Sequence, residues 1–309
     1  MKRLLLSEFE EILGEKLSEY VSNRIGKYSF EYEEILDSER DELLNIIVNT
    51  LFDQNIVKSG AGRKEQWESG WSENLDGITE DKTNINTLIP KYFNKYSVIR
   101  WKGRFIKPAS EKFEYQSLGI ILDWIFDKYF RGFDYIYEFG CGPAYHLLRL
   151  RDVNRDAQLW GLDWAESSQA IIDRIVENGI DDNIKGHNFD YFNPDLDFSI
   201  QENSIVYTVA SLEQVGSKWS SFIDYLIDQK PKLCIHVEPI SELLNKEVLI
   251  DNLSIKYFKK RNYLDGFLDG LRELELQGKL TIHDAKRTHI GSLFIEGYSV
   301  VVWSPSDHH

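Results

Sequence analysis

Cysteine is scarce in this chain. Cys141 and Cys234 are the only two in 309 residues, and neither belongs to a C-x-x-C pair. No disulfide framework or zinc site is therefore expected, and the composition suits a reducing, cytoplasmic setting. Long apolar runs are missing too. The opening MKRLLLSEFEEILGEKL (1–17) starts like a leader, but acidic residues interrupt it after three leucines, which speaks against export. No window approaches the roughly 20 apolar residues of a membrane span. Positive charge is in deficit as well: 36 Lys and Arg against 51 Asp and Glu leave a net charge of −15. So acidic a surface repels phosphate backbones, and no nucleic-acid partner is expected. The basic run KYFKKR (256–261) reads as a solvated helix face. Internal repeats, low-complexity tracts and clusters of metal-ligating side chains are not found, so metal-independent chemistry is expected.

What is present is ample material for a core, with 42% hydrophobic and 13% aromatic residues. Ser7 with Glu10 reads as a capping box opening a helix through Phe9, Ile12, Leu13, Leu17, Tyr20 and Val21. Ser38 with Asp41 predicts a second helix carrying Leu43, Leu44, Ile47, Leu51 and Phe52. KSGAGRK (58–64) reads as a flexible break, and a third helix is expected from Ser110. From Asp134 the rhythm changes. Strands are expected at 134–139, 158–163, 184–188, 204–210 and 232–238. Helices alternate with them at 144–152, 166–178 and 217–229, and a broken helical stretch follows Ser241 as far as Gly278. This alternation predicts an α/β, doubly wound parallel sheet. KLTIHDAKR (279–287) and SLFIEGYSVVVW (292–303) both read as strands, separated only by Thr288 to Gly291. A parallel crossover needs a dozen or more residues, so the two are expected to pair as an antiparallel hairpin. The chain divides into a helical region, 1–130, and a sheet domain, 131–305.

The stretch YIYEFGCGPAYHLLRL (135–150) carries the chemistry. Gly140 and Gly142 fall between a strand and a helix, where glycine lets the backbone approach a ligand. The next strand, AQLWGLDW, brings Asp163 about 20 residues further on, at a strand tip suited to a ribose diol; a helix-capping aspartate is the alternative. A dinucleotide fits less well. Tyr145 stands where the third glycine of that fingerprint belongs, and Glu138 would repel a pyrophosphate while favouring a cofactor with an ammonium and a sulfonium.

YEFGCGPAY (137–145) resembles motif I, E/D-x-G-x-G, of class I S-adenosylmethionine-dependent methyltransferases. Their fold is a Rossmann-like doubly wound seven-stranded sheet with the last strand inserted antiparallel, and the resemblance covers about 134–303. It implies S-adenosyl-L-methionine as cofactor. Glu138, Gly140, Cys141 and Gly142 would surround its methionine part, Asp163 its ribose hydroxyls and Trp164 its adenine. In GHNFDYFNP, Asp190 would take the adenine amino group with Phe189 or Tyr191 nearby; turn chemistry explains Asp190 too.

Acceptor chemistry is expected beyond the carboxyl ends of the strands. The candidates are Glu213 in ASLEQVG and the pair His236 and Glu238 in CIHVEPI, two apart and so on one face of a strand. His236 could be a base oriented by Glu238, or a buried, hydrogen-bonded histidine beneath the site. Glu213 could serve the acceptor or merely enter a helix, and His146 reads as structural. Trp67 and Trp71, with Glu65, Glu68 and Glu73 around them, would suit a sugar face or simply pack in the core.

YEFGCG, GLDWAE, HVEPI, RNYLDGFLDGL and EGYSVVVW together resemble bacterial methyltransferases of sugars and surface polysaccharides. That finer resemblance implies O-methylation of a small-molecule or carbohydrate acceptor in carbohydrate biosynthesis. Region 1–130 would then be a lid for acceptor binding or an oligomerisation surface, with a homodimer left open. Two other readings stand beside it: an NAD-dependent oxidoreductase on a Rossmann scaffold, and a non-catalytic cofactor-binding protein.

Overall fold

A computed structural model describes residues 1–78, 85–93 and 95–306. The N-terminal part holds helices α1 (Leu6–Leu13), α2 (Glu19–Lys27), α3 (Asp37–Phe52), α4 (Lys64–Leu75) and α5 (Phe113–Tyr129). It is helical as expected, and it also contributes short strands β1 (Lys2–Arg3), β2 (Glu31–Glu34), β3 (Ile99–Trp101) and β4 (Arg104–Pro108). Helix starts differ from the sequence reading. The backbone N–H of Leu5 is capped by Glu8 and that of Leu36 by Glu39, at 2.9 and 2.8 Å, so Ser7 and Ser38 lie inside their helices. Glu10 instead accepts from Lys16 and from the N–H of Leu17. The single helix expected through Val21 is two, because Gly14, at φ +69°, turns the chain into the left-handed region that ends α1.

The central sheet follows the expected alternation closely. Its strands are β5 (Tyr135–Phe139), β6 (Gln158–Asp163), β7 (Ile184–Asn188), β8 (Ser204–Val209), β9 (Leu233–Glu238) and β10 (Leu280–Lys286), then, after β11 (Ile290–Gly291) has left for the second sheet, β12 (Ser299–Pro305). The order is β10-β12-β9-β8-β5-β6-β7. β5 to β9 run parallel, and β12 lies antiparallel between β9 and β10. This is the doubly wound seven-stranded sheet with an antiparallel last strand that the resemblance implied. Helices α6 (Tyr145–Leu150), α7 (Glu166–Glu177), α8 (Ser220–Gln229), α9 (Leu249–Arg261) and α10 (Phe267–Leu276) make the crossovers. Alternation along β5 sends Ile136 to one core and Tyr137 and Phe139 to the other, so both faces are buried. On the first face Phe126 of α5 and Phe130 just after it lie edge-on to Tyr207 of β8, at 5.6 and 5.2 Å.

The antiparallel pairing was foreseen for the wrong reason. β10 and β12 are not joined by a short turn. The connection from Arg287 to Tyr298 leaves the sheet, and β11 pairs with β3, completing a second sheet of order β1-β2-β4-β3-β11. Leu293 and Phe294, read as strand, instead turn their carbonyls to the buried guanidinium of Arg100, at 3.1 and 2.9 Å. No described helix is long and apolar enough to cross a membrane.

Candidate active site at the carboxyl ends of the parallel strands

The loop leaving β5 is a clasp rather than a cradle. Gly140 (φ +71°) and Gly142 (φ +49°) adopt left-handed conformations that favour glycine. The N–H groups of Gly140 and Cys141 both donate to the carbonyl of Leu162, at 2.6 and 3.1 Å, and that of Gly142 donates to Asp163 Oδ2 at 2.9 Å. All three donors point back into the protein, so none is left to surround a phosphate. A Cβ on Gly140 would lie 2.3 Å from that of Ser211, and one on Gly142 would lie 2.9 Å from the Trp71 ring. Two alanines beside the loop, Ala144 (φ +59°) and Ala210 (φ +47°), also sit in the left-handed region, at a cost of about 1 kcal/mol each.

Asp163 closes the clasp. Its other oxygen accepts from the N–H of Ala165 at 2.9 Å, so the carboxylate ties β6 both to the glycine loop and to the approach of α7. It is only 5% exposed, and burial pushes its pKa from 3.8 up to about 6. Each oxygen keeps lone-pair capacity for one further donor.

Aromatic rings wall the cleft above it. Trp164 and Phe192 are near-parallel at 6.1 Å, and Phe189 lines the cleft with them. Trp67 and Trp71, which also line it, stack at 5.3 Å. They belong to α4, which spans the rim: Glu68 accepts from the N–H groups of Glu166 and Ser167 at the start of α7, at 2.7 and 2.9 Å. The tryptophan pair expected to face an acceptor is thus brought against the glycine loop. Two buried polar atoms in the cleft wall, Trp67 Nε1 and Gln214 Oε1, have no hydrogen-bond partner among the described residues.

The remaining predicted residues divide. Cys141 and Tyr191 line the cleft. Burial raises the Tyr191 phenol far above its usual range, and its hydroxyl bonds that of Ser211 at 2.9 Å. Glu138 does not line it. Its carboxylate is buried, accepting from Tyr207 at 2.9 Å and meeting His146 Nδ1 at 2.8 Å, and it is His146 that reaches the cleft. Asp190 is engaged in a turn, accepting from the N–H of Phe192 at 2.8 Å and from Asn193 at 3.2 Å. Glu238 gathers the N–H groups of Ser211, Leu212 and Glu213, at 3.1, 3.0 and 3.2 Å, and burial raises it to about 7.

His236 is fully buried, with Nδ1 at 3.0 Å from Thr208 Oγ1 and Nε2 accepting from Trp303 at 2.9 Å. Burial lowers it to about 3, and it does not reach the cleft wall. The geometry is that of the buried, hydrogen-bonded alternative. Glu213 is partly buried, bonded to Gln214 Nε2 at 2.9 Å, and raised to about 8 by burial and by Glu238.

His146, Tyr92, Ser211 and Gln214 line the cleft without having been singled out for it. For His146 a signal existed: a histidine within the first turn of the helix that follows the glycines lies over the strand that carries Glu138. For Tyr92 the sequence offers none. Among the described residues no group of three or more His, Cys, Asp or Glu side chains is placed to hold a metal.

No family model matches the chain, and no curated protein matches it in sequence. Solved structures of similar chain path include the N,N-8-amino-8-demethyl-D-riboflavin dimethyltransferase of Streptomyces davawensis, at 9% identity and a TM-score of 0.41. An O-methyltransferase family protein of Burkholderia thailandensis matches at 11% and 0.47, and the magnesium protoporphyrin IX methyltransferase of Synechocystis PCC 6803, with bound S-adenosylhomocysteine, at 13% and 0.44. The matches cover 63%, 64% and 62% of this chain and 55%, 59% and 83% of those proteins. The chain therefore spans little more than half the length of the first two.

Proposed function

We propose that this chain is an S-adenosyl-L-methionine-dependent methyltransferase of the class I fold, acting on a small acceptor. The observation that carries the reading is the clasp: Asp163 at the tip of β6 holds a glycine loop whose three N–H groups are all consumed. Such a loop suits an adenosyl ligand without a pyrophosphate, and disfavours the nicotinamide alternative. The residues present fit the group. Asp163 would accept from the ribose hydroxyls, Trp164 and Phe192 would hold the adenine, and the orphaned Gln214 Oε1 would accept from the ammonium. The cofactor supplies, when bound, a methyl group on a sulfonium.

On the acceptor side, His146 is the group we propose as base. Glu138 holds its Nδ1, and Nε2 makes no bond among the described residues, so it can take a proton from a hydroxyl in the cleft. Region 1–130 would act as a lid through α4. The finer reading, O-methylation of a sugar or sugar-linked acceptor, is supported by the sequence resemblance.

Calorimetry with S-adenosylhomocysteine tests the proposal. One molecule per chain should bind, NAD should not, and Asp163→Ala should weaken binding about ten- to hundredfold through loss of charge-assisted bonds. No binding at millimolar ligand, or a preference for NAD, would remove the reading.

A further inference from the structure

Three segments meet beside the cleft: the loop Ser59–Arg63 before α4, the end of α9 with Asn262 and Tyr263 after it, and the turn Leu212–Gly216 after β8. The N–H of Ser59 donates to the carbonyl of Arg261 at 2.7 Å, Asn262 Nδ2 donates to the carbonyl of Ser59 at 3.1 Å, and the N–H of Asp265 donates to that of Gly216 at 3.3 Å. These contacts bring the segments of Arg63 and Arg261 side by side, close enough for each charge to act on the other. Arg63 lies over the Trp67 ring at 5.7 Å, and Arg261 over Tyr263 and Tyr257 at 5.1 and 5.9 Å.

Neither arginine has a carboxylate partner within ion-pair distance among the described residues. Arg63 Nε and Nη1 and Arg261 Nε are buried with no hydrogen-bond acceptor. Arg149, Arg151 and Arg287 each pair with carboxylates, of Asp123, of Asp181, and of Asp251 and Glu296, and Arg100, whose Nε also lacks an acceptor, gives its Nη2 to backbone carbonyls. Burial first, and the charge of Arg261 after it, lower the Arg63 pKa, so the two guanidinium groups also oppose each other. Glu213, the acid nearby, makes no ion pair with either; burial and Glu238 raise it, while Arg261 and Arg63 pull it back. Buried guanidinium donors without acceptors are costly unless a ligand supplies them, and their planar forks match carboxylate and phosphate oxygens.

We infer that Arg63 and Arg261 form an anion-binding subsite, and that the acceptor of this enzyme carries a phosphate or carboxylate group. The word acceptor rests on the methyltransferase reading above; the subsite stands on its own residues. Glu213 links it to the cleft, because the Gln214 amide that bonds its carboxyl at 2.9 Å also lines the cofactor side. An anion held there would place the rest of a small acceptor toward His146 and Tyr92.

The test titrates protein saturated with S-adenosylhomocysteine with phenyl phosphate, benzoate and neutral benzyl alcohol. At least one anion should bind about tenfold or more tightly than the alcohol, with that preference falling about ten- to hundredfold in Arg63→Gln and in Arg261→Gln. A lead for phenyl phosphate assigns the subsite to phosphate, and a lead for benzoate to carboxylate. Retained S-adenosylhomocysteine binding in both variants shows that they fold, and Arg63→Lys, which keeps charge but loses the fork, should recover only part of the affinity. Equal binding of all three probes, or anion binding indifferent to both Gln substitutions, would overturn the inference. Wild-type protein that binds the anion but not S-adenosylhomocysteine would sink the methyltransferase reading and leave the subsite standing.

Discussion

Acidification should weaken binding of the adenosyl ligand through one residue. Asp163 is 5% exposed and holds two backbone N–H groups, yet burial raises its pKa from 3.8 to about 6. The sign follows from linkage. A carboxyl raised on folding favours the protonated form, so its contribution to the stability of the ligand-free protein is present below pH 3.8 and is lost as pH rises through about 6. The loss amounts to about 3 kcal/mol. A ribose diol donates hydrogen bonds and so prefers the ionised carboxylate. Affinity should therefore be full above pH 6 and fall about tenfold per unit below it, so that at about pH 5 binding is weaker by about 1.4 kcal/mol.

Calorimetry with S-adenosylhomocysteine at about pH 5 and about pH 7.5, in buffers of different ionisation enthalpy, reads both the affinity and the proton released on binding. Asp163→Asn should bind weakly at both pH values and release no proton, separating Asp163 from Glu238, which is raised to about 7 nearby. Affinity that is flat or improves on acidification, or proton release that survives in Asp163→Asn, would refute the reasoning.

Two further outcomes follow from the walls of the site. Trp71 lies against Gly142 and stacks on Trp67, so ligand binding should change tryptophan emission, and Trp71→Ala should lose most of that change while costing about 3 kcal/mol of stability; an undiminished emission change would place the ligand away from α4. Glu238 satisfies three backbone N–H groups in the turn after β8, so Glu238→Ala should destabilise the fold by about 3 kcal/mol in urea denaturation, with Glu238→Gln costing less. A loss below about 1 kcal/mol for the alanine variant would mean that the turn holds itself.

Most of the central sheet was legible because its inner parallel strands are buried on both faces, and so read as short apolar runs bounded by polar turns, while the edge strand β7 is half-exposed. β6 and β7 fall on the residues expected, and β5, β8 and β9 within one. The grouping of Gly140, Gly142 and Asp163 at one cleft was legible because local segments at two neighbouring strand ends set it. The site was not legible where a partner arrives from elsewhere. Spacing put His236 and Glu238 on one face, but only the fold supplies Thr208 and Trp303 for the histidine and the turn of Ser211 for the carboxylate. Glu138 precedes the first glycine as the motif requires, but His146 comes between it and the cleft. The closure by α4 depends on Glu68 meeting the start of α7, a contact across 98 residues that no local pattern encodes. β1 and β2 carry too little buried surface to show an alternating pattern.

A crystal structure with S-adenosylhomocysteine tests the central claim most directly. Adenine should pack against Trp164, both ribose hydroxyls should reach Asp163, and the Trp71 ring should be displaced from its contact with Gly142 or packed on the ligand. Adenosine density anywhere else, with Trp71 still closed on the glycine, would contradict the account.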